Sequence, residues 1–353
     1  MAEINYLQLT LDLVPWIVAY VLITLSLNLE YGYTGIPNFG KVLAVAAGAF
    51  FAGSLSGLML YYILGLNTKY DFYDNHIAVM DEINRALRND AWLSIGTLIA
   101  MLIIATLAGA LFGFIGSYPA IRLREDYLGM TLLAMGEILV IFGYTYERFV
   151  GATLGIFIPS FLGFIPLENT PYVRLAIYTG IGLAIYLIVR KFVNSPLGRV
   201  LRAIRDNESL ASSLGKDIVS YRKKLMIYAG AIAGLAGGLL ILQAGAVIAS
   251  SYTRYAYTFL PWIMIIVGGT ANNLGATLGA VVFVVSNRLI DTYKAELQGF
   301  LPFSVVWLTP IILSIILILM LMFRPQGLIP EKETKTLSEK EILEILNKHN
   351  KKK

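Results

Sequence analysis

The sequence predicts an all-α polytopic membrane protein with about seven full spans, a re-entrant or paired-helix hairpin over residues 258–290, and a cytoplasmic helix set between two spans. Three observations carry this reading. Apolar residues make up 57% of the 353-residue chain and charged residues 14%, against about 25% charged in an ordinary soluble domain. Several apolar runs reach the roughly 20 residues that a helix needs to cross hydrocarbon. The basic residues cluster beside those runs. Arg190 and Lys191 precede the one long polar stretch, residues 195–224, and Arg222, Lys223 and Lys224 close it, which places it in the cytoplasm by the positive-inside rule. The same clustering assigns the net charge of +5 to topology and leaves nucleic acid aside as a partner.

Taken in order, the first span covers about Leu13 to Leu29. Only Glu3 and Asp12 precede it, with no basic flank and no small-residue cleavage pattern, so a removable signal peptide is not expected. Glu30 to Lys41 then interrupts the apolar pattern with three glycines and a proline, yet carries just two charges. A second span follows to about Leu66. The next loop, to Asp90, is acidic through Asp71, Asp74, Asp81, Glu82 and Asp90 and is expected outside. The third span, about Ala91 to Tyr118, returns to Arg122 and Arg124, and the fourth runs from Tyr127 to about Tyr144. Gly151 to Leu167 is apolar but rich in glycine and proline, and must start and finish outside, as a re-entrant or surface-lying segment would. The fifth span is about Tyr172 to Val189 and the sixth about Leu225 to Ser250. Gly230, Gly234 and Gly238, four apart in the sixth span, form a small-residue stripe for close helix packing.

The hairpin is interrupted at Gly268 to Gly275; two arms that go in and come back, followed by a last span from about Phe303 to Phe323, leave Arg324 and the C-terminus inside. The expected organisation is one membrane domain over 1–330, containing the 195–224 loop, and a charged cytoplasmic tail over 331–353. In the tail, Ser338 and Glu341 suit a capping box. The N-terminus is expected outside, in a multi-pass protein of the cell membrane.

Within residues 195–224, Ser195 can cap a helix, Pro196 fits its first position and Gly215 can end it in a left-handed conformation. Leu197, Leu201, Ile204, Ala211 and Leu214 recur at roughly helical spacing, and Arg199, Arg202 and Arg205 fall three apart. Such a helix has one apolar and one basic stripe.

Few residues suggest chemistry. There is no cysteine, and the two histidines, His76 and His349, are far apart, so no disulfide, thiolate or metal site and no cofactor is expected. Gly35 to Lys41 matches the first seven places of a nucleotide-binding loop, but Val42 stands where the Ser or Thr for magnesium belongs and no strand precedes it. Glu137 lies about ten residues into the fourth span, where a carboxylate is costly unless paired or wetted. The two interruptions also read alike, Thr34 to Asn38 and Gly40 in the first, Thr270 to Asn273 and Gly275 in the second. Unwound breaks in corresponding halves commonly frame a transporter's pathway. Thr34, Asn38, Glu137, Thr270 and Asn273 are therefore the candidate pathway residues.

Four pieces, LNLEYGYTGIPNFGK, RLREDYLGMTLLAMGEI, SPLGRVLRAIRDNESLASSLG, and FLPWIMIIVGGTANNLGATLGA with the closing FRPQGLIPE, together resemble the larger permease type of branched-chain amino acid ABC importers, over about Leu25 to Pro330. The resemblance implies a transport subunit without its own ATPase site, working with a second related permease, two ABC ATPases and an external solute-binding protein. It makes the 195–224 loop the segment that docks on the ATPase. The coupling residues would be Arg199, Arg205, Asp206, Glu208, Ala211 and Gly215, although Glu208 stands seven residues before Gly215 where the general pattern has six. Lipid headgroups are the other partner for Arg199 and Arg205. Importers of sugars, nucleosides, urea or amides share the larger family. An ion-coupled transporter would use the breaks and Glu137 but give the polar loop no task, and no catalytic constellation supports a membrane enzyme.

Overall fold

In the computed structural model, residues 6–123, 125–294, 298 and 304–331 are described. In chain order the helices are α1 (Tyr6–Thr34), α2 (Lys41–Ile63), α3 (His76–Asn89), α4 (Ala91–Arg122), α5 (Glu125–Thr145), the single turn α6 (Glu147–Val150) and α7 (Thr170–Asn194). They continue with α8 (Pro196–Asp206), α9 (Glu208–Ser213), α10 (Ile218–Ala244), α11 (Leu260–Gly268), α12 (Asn273–Thr292) and α13 (Leu308–Phe323). Among the described residues, seven helices are long and apolar enough to cross a membrane: α1, α2, α4, α5, α7, α10 and α12. The expected number holds, but its membership shifts. The second arm of the hairpin is a full-length helix, while α13 has 16 residues.

Three expected boundaries move for local reasons. The sixth span stops at Ala244 instead of Ser250, because Gly245 takes φ 74° and closes the helix. The third continues past Tyr118 to Arg122 with Pro119 inside it. The single helix expected from Ser195 to Gly215 is two helices: Asn207 is extended and its side chain accepts the Leu210 N–H at 2.9 Å, so it starts α9 afresh. Ser195 and Gly215 act as expected, as the cap of α8 and as a left-handed residue with φ 75°.

The core is built on α10. The stripe Gly230, Gly234 and Gly238 lies on α4, where an added Cβ would run into Gly109 and Gly113, into Ala105 and Gly109, and into the Ala105 methyl respectively. Without a hydrophobic force between helices in lipid, backbone contact of this kind supplies the packing. Gly48 of α2 meets Gly234 in the same way, and Gly237 admits Val45 and Ala49. Accordingly 78% of the most apolar window of α2 and of α10 is buried, against 17% for α7, which lies at the periphery.

One end of the bundle carries residues 195–224, both chain interruptions and the 324–331 segment. At the opposite end, α3 buries Val79, Met80, Ile83 and Leu87. There β1 (Ile156–Phe157) pairs antiparallel with β2 (Ala246–Val247), Ile156 opposite Val247. The Phe157 N–H donates to His76 Nε2 at 2.9 Å and the Ser160 N–H to Asn84 Oδ1 at 2.8 Å. The 151–167 stretch therefore lies across that end as a cap instead of dipping inward. Ser338, Glu341 and the basic tail fall outside the described residues, as does Phe303.

Candidate functional site

The first interruption is a sealed knot. α1 stops at Thr34, whose hydroxyl donates back to the Glu30 carbonyl at 2.6 Å, and Gly35 turns the chain with φ 72°. Asn38 folds inward: its amide donates to Glu30 Oε2 at 3.0 Å, its side-chain oxygen accepts the Gly40 N–H at 2.8 Å, and its carbonyl accepts Trp262 Nε1–H at 3.1 Å. Lys41 closes the knot with an ion pair to Glu30 at 3.0 Å, the two side chains 0% and 1% exposed. The two charges that bracket this stretch are the signal for the pair in the sequence, and the turn between them brings the two together.

The second interruption meets the first. α11 ends at Gly268, Gly269 and Ala271 take φ 118° and 57°, and Asn272 caps α12 by accepting the Leu274 N–H at 3.0 Å. Asn273 is buried and accepts from Asn28 Nδ2 at 3.3 Å and from the Tyr33 hydroxyl at 3.1 Å, while Asn28 Oδ1 accepts the Ala271 N–H at 2.9 Å. The segment after α13 ties the tip down: the Leu328 and Ile329 N–H groups donate to the Val267 and Gly268 carbonyls at 2.9 and 3.0 Å. Thr34, Asn38, Thr270 and Asn273 thus share one end of the molecule, with Thr270 half-buried at the tip.

Glu137 stands apart from these four. Its side chain is 37% exposed and 4.0 Å from Arg254 Nε, itself 52% exposed. The buried carboxylate expected at Glu137 is found instead at Glu30. A span reveals the depth of a side chain but not the direction it points.

The polar loop turns Arg205 inward. Arg205 Nη1 donates to the Gly32 carbonyl at 2.5 Å and pairs with Glu331 at 3.1 Å, and Nε pairs with Asp206 at 3.0 Å. Burial lowers the Arg205 pKa, but the hydrogen bonds and charges of Glu331 and then Asp206 outweigh it, so the net shift is upward. Arg205 and Asp206 are therefore engaged within the chain, and Glu331, the first residue of the expected tail, is part of the same contact. Glu208 is held by a forked Arg222 at 2.8 and 3.1 Å. Ala211 is 3% exposed, whereas Leu210 and Leu214 are 58% and 71% exposed. Leu214, expected on one apolar stripe with Ala211, is therefore turned out while Ala211 is packed in. Arg199 is exposed, and Gly215 has open space around it.

The arrangement is that of a helical membrane unit with two facing chain breaks, the first of them joined to the polar loop by Arg205. A family model described as the branched-chain amino acid transport system / permease component matches residues 9–321. The chain belongs to this family. It is a multi-pass membrane permease. It is 38% identical, over 94% of its length and 97% of the relative, to the probable branched-chain amino acid transport permease protein LivM of Methanocaldococcus jannaschii. Identity to the high-affinity branched-chain amino acid transport system permease protein LivM of Escherichia coli is 26%, covering 91% of this chain and 70% of that one. The probable permease protein LivH of M. jannaschii is 30% identical over 87% of each chain. No solved structure matches.

Proposed function

We propose that this permease is the larger of two related membrane subunits of an importer for branched-chain and other hydrophobic amino acids, powered by two ABC ATPase subunits and fed by an external solute-binding protein. Its N-terminus lies outside, and residues 195–224 and the C-terminus lie in the cytoplasm. One membrane domain, residues 1–330, forms the transport unit. The chain hydrolyses no ATP itself; in support, the would-be nucleotide loop is a buried turn whose Lys41 is bonded to Glu30.

The observation that carries the coupling role is the two-sided construction of α8 and α9. Leu210 and Leu214 point away from the bundle, while Arg205 on the inner side holds the Gly32 carbonyl at the first break. A force on the outer leucines reaches the interruption through one guanidinium and the rigid turn of Asn207. Exposed apolar side chains on an otherwise polar loop fit a groove in a partner better than solvent. The ion-coupled alternative gives this surface nothing to do.

The test is uptake by the reconstituted assembly across a panel of labelled solutes. Leucine, isoleucine and valine should enter in an ATP-dependent manner, and ribose and urea should not. Uptake of another solute class alone, or amino acid uptake without the ATPase, overturns the proposal.

A further inference from the structure

The polypeptide between α10 and α11 is built in a way that lipid does not allow. After Gly245 it forms β2, a single 3₁₀ turn over Ala249–Ser251, a short irregular link and then a π turn over Tyr255–Phe259. Its depth can be read from α2. Val247 lies against Gly53, and the Thr258 hydroxyl accepts the Val42 N–H at 3.1 Å. Between those points α2 advances eleven residues, about 16 Å of axis at 1.5 Å per residue. Ser250, Ser251, Thr253 and Arg254 are all exposed along this descent. Irregular backbone and exposed hydroxyls at membrane depth occur where they are buried in protein or line water.

Arg254 ends the descent beside Glu137. Their level is inside the apolar band: Gly136 packs on Val42 and Leu43, Leu43 reaches Gly116 of α4, and Gly116 is six residues short of Arg122 at the helix end. That is about 9 Å inward. At 4.0 Å the pair is too long for a hydrogen bond. The carboxylate and the five-donor guanidinium both retain free bonding capacity on their open sides. Two half-exposed charges at this depth face water or protein.

We propose that Glu137 and Arg254 form the amino acid station of the pathway, open toward the second permease. The inference rests on the importer reading above and names the groups that read the substrate. A free amino acid carries an ammonium and a carboxylate on one carbon. The guanidinium takes the carboxylate as a two-pronged partner, Glu137 takes the ammonium, and the apolar side chain lies against Ile141, one helical turn on from Glu137, and Tyr255, next to Arg254, both exposed. The hydroxyls of Ser250, Ser251 and Thr253 line the approach from the opposite face. Neutral solutes such as sugars or urea have no use for a separated pair of opposite charges. The π turn that follows Arg254 is a feature often found at functional sites.

The experiment uses the complete reconstituted complex. Glu137→Gln and Arg254→Gln should each lower leucine uptake by roughly tenfold or more, because a site built for a polar group rejects a mismatch steeply, while the complex still assembles, as co-purification of its subunits shows. A second readout separates recognition from structure. The chain has no native cysteine, so Ser251→Cys gives one reporter whose mass shift reports labelling by a small water-soluble thiol reagent. Leucine should slow that labelling, leucinamide, which lacks the carboxylate, should not, and Arg254→Gln should abolish the leucine effect. Wild-type uptake in both variants, or a Ser251→Cys that leucine does not protect, overturns the station while leaving the importer reading intact. A wild-type complex that moves no amino acid overturns both.

Discussion

Two pairs of opposite charges sit within the apolar band, and they are built in opposite ways. Glu30 and Lys41 are 3.0 Å apart and sealed, with Asn38 on the same carboxylate oxygen. Glu137 and Arg254 are 4.0 Å apart and open, one on a regular helix and the other at the end of an irregular descent. A sealed pair satisfies itself, so its work is to hold the first break closed. An open pair at similar depth needs something from outside the chain. Ion pairs of the same chemistry thus mark a structural lock in one place and a receptive surface in the other.

The comparison breaks most easily at the lock. Lys41→Met leaves buried Glu30 without its counter-charge, and removing one member of a buried pair costs about 3–5 kcal/mol. The purified permease should unfold at a clearly lower temperature in detergent. Glu30→Gln combined with Lys41→Met should recover most of the loss, and a double variant no better than the single would show that the charge is not what the knot depends on. At the open pair the expected stability cost is small, within about 1 kcal/mol as for exposed pairs, so Glu137→Gln should unfold close to wild type even where uptake is lost. An equal loss at both pairs would erase the distinction.

The smallest effect lies in the cap at the far end. Burial lowers the His76 pKa from its usual 6.5, against the opposing influence of the Phe72 and Phe157 backbone. The Phe157 N–H points at Nε2 at 2.9 Å, which needs a neutral ring. A folded-state value below the unfolded one means the contribution is present above pH 6.5 and is lost as the pH falls through the folded value. The protection factors of the 151–167 amides, exchange rates taken relative to the intrinsic rate at each pH, should therefore fall at acidic pH relative to neutral, and His76→Gln should remove that dependence. Unchanged protection factors across this range would contradict it.

Much of this architecture is legible in the sequence because a bilayer permits few solutions. Apolar length marks the spans, glycine stripes mark the close seams, and Gly and Pro between apolar runs mark the breaks. What escapes is direction and distant pairing. Glu137 has the same sequence context whether it faces inward or out. Asn28 and Asn273 meet across 245 residues, and no local pattern joins them. Asn207 was a readable cap, followed by Glu208, yet the continuous leucine spacing on either side concealed the break. The polar run Ser250 to Arg254 read as the end of a span because a non-helical descent has no periodicity to detect.

The central claim is that α8 and α9 couple a partner ATPase to the membrane breaks. Ala211→Arg would not isolate it, because Ala211 is packed inside the chain. Leu210→Glu with Leu214→Glu changes only exposed positions and should leave folding within about half a kcal/mol. The decisive measurement is co-purification of this double variant with the ATPase, read alongside leucine-stimulated ATP hydrolysis in the reconstituted complex. Loss of association, or hydrolysis that no longer responds to leucine, is the expected result; wild-type values in both would contradict the account.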